Sequence, residues 1–383
     1  MKTYFTPKTI NSLKDNEIFV FGSNMRGYHS GGGAFFAKTH FGAIEGQAEG
    51  LQGQSYAIPT VGQNLKGIKK SVELFCDFAN KHRELTFLVT AVGCKNAGFS
   101  PEEIAPLFIN VFYAPNVILP KDFAEVIVDK MDRHYSVHID GFEYLITDIK
   151  NHKAIIGHAA PQYGYAHKVI EFAGEEYEVM GVDRTPYYRC SFSYISDSVN
   201  YIGKKAFFDT YSNDIFVIPK NLEFYGAVPF PHCEITSNSN RFKVVNGLVI
   251  DHKYKRVVQC INHLAEHVDV PEGIKEIYDG AFYKCHLRTI QLPSTLKNID
   301  IDAFWDCREL ENITIPKNVT YIGSYAFAYC ERLKDVRLLG DKIKSGEFPF
   351  NRCNNMQLYI LKGCRTKLAK TLHTTSLNDA IEY

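Results

Sequence analysis

Ile290-Gln-Leu-Pro-Ser-Thr-Leu-Lys-Asn-Ile-Asp-Ile-Asp-Ala-Phe-Trp-Asp-Cys307 is the stretch from which the rest of the chain is read. Pro293 is followed at +3 by Leu296, at +6 by Ile299 and at +10 and +11 by Ala303 and Phe304, with Cys307 three residues further on. The same frame runs through Pro271, Ile274, Ile277, Ala281, Phe282 and Cys285, and again through Pro316, Val319, Ile322, Ala326, Phe327 and Cys330. Phe350 and Cys353 close a further copy, so the period is 22 to 23 residues. A repeat of that length predicts a solenoid. Weaker copies precede these, at Pro219, Leu222, Tyr225, Phe230 and Cys233, and at Val199, Ile202, Ala206 and Phe207 with Thr210 in the cysteine slot. This makes six coils, and Tyr187 with Cys190 is the candidate for a seventh.

Ahead of each proline, apolar residues alternate with polar ones, as in Ile290 and Leu292, Ile313 and Ile315, Val336 and Leu338. Alternation over so few residues predicts a short strand with every second side chain inward. Thr289, Gln291, Asn312, Thr314, Asp335 and Arg337 must then face solvent, while the Phe and Cys of each coil stack into interior ladders. One coil cannot bury its apolar face alone, so the array is stable only as a whole. The frame resembles the BspA-type leucine-rich repeat over residues 135–383. The resemblance implies a solenoid of short parallel strands that recognises a protein, with Gln291, Asn312, Thr314 and Arg337 as candidate partner-binding residues.

The chain has 383 residues and 10 cysteines, of which the repeat accounts for four or five as small buried hydrophobes. No Cys-x-x-Cys and no Cys/His pair at zinc spacing occurs, so no metal site is expected. Lys and Arg total 43 and Asp and Glu total 43, a balance that argues against bulk nucleic-acid or membrane binding. The opening MKTYFTPKTINSLKDNE lacks an apolar core of signal-peptide type, and no stretch reaches membrane-spanning length. The expectation is a reduced, cytoplasmic protein, although BspA-type repeats are often found on secreted bacterial proteins.

Residues 1–125 read differently. Glu17 to Phe21, Ser55 to Pro59 and Leu85 to Thr90 are apolar runs of buried-strand type, alternating with helical segments Ala34 to Phe41 and Gly67 to His82. This predicts an α/β domain with a mixed sheet flanked by helices. Ser100, Pro101 and Glu103 specify a further helix start. A short strand, Asn116 to Leu119, ends the domain, and the boundary falls near Pro120 to Arg133. The repeat domain, 135–383, begins with a hairpin around Asp140-Gly141, and a similar hairpin around Asn246-Gly247 forms an insertion at 234–269.

Two strands run into glycine-bearing loops, Phe21-Gly-Ser-Asn-Met-Arg-Gly-Tyr-His-Ser-Gly-Gly-Gly33 and Ala91-Val-Gly-Cys-Lys-Asn-Ala-Gly-Phe99. Helix N-termini beyond strand ends favour anions, which makes these loops a candidate phosphate or diphosphate site. Tight turning alone also explains the glycines, and neither loop is a Walker A or dinucleotide motif. Together with Tyr56-Ala-Ile-Pro-Thr60, these loops resemble the macrodomain over residues 17–119, near its DNA-ADP-ribose hydrolase branch.

That resemblance implies an ADP-ribose-type nucleotide as ligand, held by Gly22, Ser23, Asn24, Gly31, Gly32, Gly33, Thr60, Gly93, Cys94, Asn96, Gly98 and Phe99. Asn24 would contact the distal ribose, Gly31 to Gly33 the ribose and diphosphate, and Gly93 to Phe99 the diphosphate, with Phe99 near the ribose. Val61 and Ala97 stand where the hydrolase branch has a lysine and an acid, so binding is favoured over catalysis and no catalytic residue is assigned. The second reading is an ADP-ribosyl hydrolase using Asn24, His29 or a loop-bound water, and nucleic acid enters only as its ADP-ribosylated substrate. No cofactor is expected. Cys94 as a low-pKa nucleophile and His29 as an acid or base are the weaker chemical options; for His29 a solvated loop position is favoured. A third reading makes the N-terminal domain a degenerate cap on an adhesion-type solenoid.

Overall fold

The computed structural model describes residues 3–159, 166–183, 196–207, 215–227, 234–262, 264–372 and 379–383. Thr210, Tyr187, Cys190, Phe230 and Cys233 lie outside the described residues. Two compact units are present, one made of residues 1–137, 145–154 and 169–177, the other of 138–144, 155–168 and 178–383.

In the first unit, β1 (Glu17–Asn24), β2 (Gly50–Gln52), β3 (Ser55–Val61), β4 (Thr86–Val89) and β5 (Val117–Ile118) form one sheet in the order β2-β3-β1-β4-β5. All pairings are parallel except β2 with β3. Alternate residues of each strand serve opposite faces, as strand geometry requires. Phe19, Phe21, Ala57 and Leu88 pack with Ala34, Ala37 and Phe41 at and beside α1 (Gly32–His40). On the other face Tyr56 and Phe87 meet Phe75 of α2 (Leu65–Lys81), with ring centroids 5.2 and 5.5 Å apart. Asn64 caps α2 by accepting a hydrogen bond from the Gly67 amide.

Glu103 accepts from the Ser100 amide at 2.9 Å, starting the short α3 (Pro101–Ile104), which runs on as a 3-10 helix, Ala105–Val111. The segment expected to separate domains is instead a helix, α4 (Lys121–Lys130), with Phe123, Ala124, Val126, Ile127 and Val128 buried. Its apolar positions complete the layer against Phe108, whose ring lies 5.6 Å from that of Phe123. Pro120 is the residue that precedes the first helical turn.

In the second unit the repeat coils carry two strands each. One set, His267–Asp269, Thr289–Gln291, Asn312–Ile315, Asp335–Leu338, Gln357–Ile360 and Ile381–Glu382, makes one parallel sheet. The sequence pattern had no signal for the other set, because Glu276–Ile277, Asn298–Ile299, Tyr321–Ile322 and Lys344–Ser345 are only two residues long. These line up parallel to one another in a separate sheet.

Between the two sheets run the expected ladders. Phe282 stacks on Phe304 at 4.9 Å and 7°, Phe304 on Phe327 at 4.9 Å and 4°, and Phe327 on Phe350 at 5.3 Å and 12°. The thiols form a second column, Cys307 donating to the Phe282 carbonyl and Cys330 to that of Phe304, at 3.0 and 3.3 Å. Each buried phenyl contributes on the order of 1.5 to 3 kcal/mol by area.

Both Asx-Gly hairpins are present: Asp140 and Gly141 have φ of 50° and 81°, and Asn246 and Gly247 have 51° and 75°. Two successive left-handed residues define the type I′ turn that these pairs favour.

Candidate functional site

Two regions collect the residues singled out from sequence. In the repeat array, Gln291, Asn312, Thr314 and Arg337 are all exposed. Parallel register explains their alignment. Asp269 pairs with Gln291, Thr289 with Asn312, Thr314 with Arg337, and Arg337 with Tyr359. Because each coil presents the same strand position, one row of outward side chains crosses the sheet: Asp269, Gln291, Thr314, Arg337, Tyr359. A second row carries His267, Thr289, Asn312, Asp335 and Gln357. His267 bridges Thr289 and Asp269, with ring nitrogens 2.7 and 3.0 Å from their oxygens. His267, Asp269 and Tyr359 were absent from the sequence-derived set, although their offsets match those of Thr289, Gln291 and Arg337. The signal for the first two was present, because Val268 and Val270 alternate ahead of Pro271, whereas no proline follows Gln357–Ile360 to frame Tyr359.

In the first unit the two glycine loops approach each other. A Cβ on Gly22, near the end of β1, would lie 2.9 Å from Thr60 Oγ1 and 3.6 Å from the Gly93 amide nitrogen, so three strand ends meet there. A Cβ on Gly32 would be 3.5 Å from Asn96 Nδ2, which places the first loop beside the second. Gly32, Gly93 and Gly98 have φ of 56°, 79° and 83°, where side chains are disfavoured. Gly31 is extended and has open space where a Cβ would go, and Gly33 makes ordinary contact with Phe21. Phe99 donates its amide to the Gly93 carbonyl at 3.1 Å, which closes the second loop.

Two polar members of this set, Ser23 and Asn24, are engaged by the chain itself. Ser23 is buried and donates to the Ala48 carbonyl. Asn24 Oδ1 accepts from the amides of Arg26 and Tyr28 at 3.0 and 3.1 Å, and its Nδ2 donates to the Tyr28 carbonyl at 2.7 Å. That arrangement is an Asx turn extended to a closed clamp.

One expectation is corrected. His29 is buried rather than solvated: its ring sits edge-on to Phe21 at 5.3 Å, and Nε2 lies 3.3 Å from Gln52 Oε1. Cys94 is not an activated thiol, because burial and then the negative charges of Asp122, Glu102 and Glu103 push its pKa up to about 11. Among the described residues no group of three His, Cys, Asp or Glu side chains is placed to hold a metal ion. No helix among them is long and apolar enough to cross a membrane.

Comparison with known proteins bears on the repeat array. Residues 182–244 and 260–373 match the model of the BspA type leucine rich repeat region, in 6 copies. No curated protein matches the chain in sequence. Solved structures similar to it include a leucine rich cell surface protein from Faecalibacterium prausnitzii A2-165, at 13% identity over 64% of this chain and 99% of that one, with a TM-score of 0.34. The pneumococcal vaccine antigen PcpA is similar at 14% identity over 65% of this chain and 99% of its own, with a TM-score of 0.36. A leucine-rich repeat protein from Eubacterium ventriosum matches at 15% identity over 59% of this chain and 78% of its own, with a TM-score of 0.38. The family match begins at residue 182 and lends no support to a macrodomain in the first unit. Residues 182–244 and 260–373 thus match the BspA-type leucine-rich repeat, and the parallel strands with their Phe and Cys ladders make the C-terminal part of this chain a repeat solenoid.

Proposed function

We propose that the protein recognises another protein along the outward strand face of its repeat array. The observation that carries this reading is the row from Asp269 to Tyr359, in which register alone sets side chains from five successive strands side by side. These side chains contribute little to the core, so their chemistry is free to vary with the partner. Combined replacement of Gln291, Thr314 and Arg337 by alanine should leave the melting temperature unchanged and abolish partner recovery in a pull-down from native lysate. Retained recovery by the variant contradicts the proposal.

A second reading concerns the first unit, where convergence of the two glycine loops favours a ligand. In this reading the domain binds ADP-ribose or a related nucleotide, as the macrodomain resemblance implies, and does not hydrolyse it, since Val61 and Ala97 supply neither nucleophile nor acid. Calorimetric titration with ADP-ribose, AMP and NAD tests it. Binding that disappears in Gly32→Val supports the reading, because a branched side chain fills the space between the loops. Absence of heat with all three removes it, and turnover of an ADP-ribosylated substrate replaces it with the hydrolase alternative.

A further inference from the structure

Most arginines of the array are spent on carboxylates: Arg288 pairs with Glu311, Arg308 with Asp306, Arg332 with Glu309 and Arg365 with Glu382. Arg337 differs. It is exposed, and it forms no ion pair among the described residues. Its guanidinium carbon lies 5.0 Å from the centroid of the Tyr359 ring, on the next strand in register. Stacking on an aromatic face holds the guanidinium plane and removes much of its rotamer freedom while leaving the N–H edge open to solvent. An edge held in that way matches the two oxygens of a carboxylate. Tyrosine and arginine are also the residue types that dominate interface energetics.

The surrounding charges narrow the choice. Asp335 shares the face two residues earlier but makes no ion pair with Arg337, and Asp269, at the far end of the row, is engaged with His267. Thr314, the register partner on the other side, is neutral. Arg337 is thus the one outward cation of its row.

Resting on the strand-face reading above, we infer that Arg337, stacked on Tyr359, is the anchor for an acidic side chain in an extended segment of the partner protein. The carboxylate takes the guanidinium edge, and the neighbouring residue of the segment lies against the exposed part of the Tyr359 ring.

The test is selection of a displayed random-peptide library on the full chain, keeping peptides whose binding is lost in Thr314→Trp, a variant that blocks the row. Affinities of synthetic copies are then measured by fluorescence anisotropy against wild type, Arg337→Gln and Tyr359→Ala, after melting curves establish that the variants are folded. The expected result is an Asp or Glu in every row-dependent peptide, with affinity reduced about tenfold or more by Arg337→Gln. Replacing that acid by its amide should cost as much, and should cost nothing further in Arg337→Gln. Row-dependent peptides that bind Arg337→Gln as well as wild type overturn this inference and leave the strand-face reading standing. Failure to recover any row-dependent peptide overturns both.

Discussion

Phe304 stands between Phe282 and Phe327 with both of its faces covered, so its loss is felt by two neighbouring coils. Phe304→Ala is expected to destabilise the protein by about 3 to 5 kcal/mol in chemical denaturation. A change below 1 kcal/mol, roughly a surface effect, would show that the ladder is not a continuous core. These residues were legible because burial forces one residue type into one slot of every coil. The clamp formed by Arg241, Asp251 and Arg256 was not legible, because it occurs once. Asp251 is fully buried, Arg241 donates to both its oxygens at 2.9 and 2.8 Å, and Arg256 Nε lies 3.3 Å from one of them. Burial alone would raise this carboxyl, but the Arg241 hydrogen bonds, then the charges of Arg241 and Arg256, outweigh it and hold the pKa below the ordinary value. A depressed carboxyl stabilises the folded state above its unfolded pKa of about 3.9, and that stabilisation is lost as pH falls through the lower folded value. The melting temperature should therefore fall more steeply below about pH 4 in wild type than in Asp251→Asn. Parallel pH profiles would remove the clamp from the account.

At the scale of elements, turns with a chemical signature were readable and turns without one were not. Asn246-Gly247 predicted its hairpin, whereas the hairpin at Ala173-Gly174, with φ of 56° and 80°, was missed because alanine gives no turn signal. Strand β2 escaped for a related reason: Gly50-Leu51-Gln52 is too short to show alternation and is held by pairing with β3. Helix α4 falls in the segment that reads as a boundary because it lies between the strand Asn116 to Leu119 and the first hairpin, while its buried face shows only against Phe108 and its neighbours. The second hairpin also carries a quantitative prediction. Gly247 has φ of 75°, and a Cβ there would lie 2.9 Å from the Asn262 Cβ. Gly247→Val should cost at least about 1 to 2 kcal/mol from backbone strain alone, read by thermal unfolding. An unchanged melting temperature would mean that the turn does not need its left-handed geometry.

For the molecule as a whole, the repeat region was legible because a solenoid writes its period directly into the chain. The division into units was less so, since the chain enters each unit more than once and no composition shift marks the crossings. The candidate partner face inherits the legibility of the repeats: outward positions follow from strand alternation, and their alignment follows from parallel register. What sequence alone did not show is that Arg337 rests on Tyr359 rather than on a carboxylate, a fact of side-chain geometry. The central claim is that partners bind the strand face that carries this pair. It is tested most directly by placing a small aliphatic diazirine residue, which lacks the bulk with which tryptophan blocks the row, at Thr314, outward on that face, or at Tyr321, exposed on the other sheet, and irradiating each in native lysate. A protein adduct from Thr314 that unlabelled wild type competes away, with none from Tyr321, is the predicted result. An adduct from Tyr321 and none from Thr314 would contradict it.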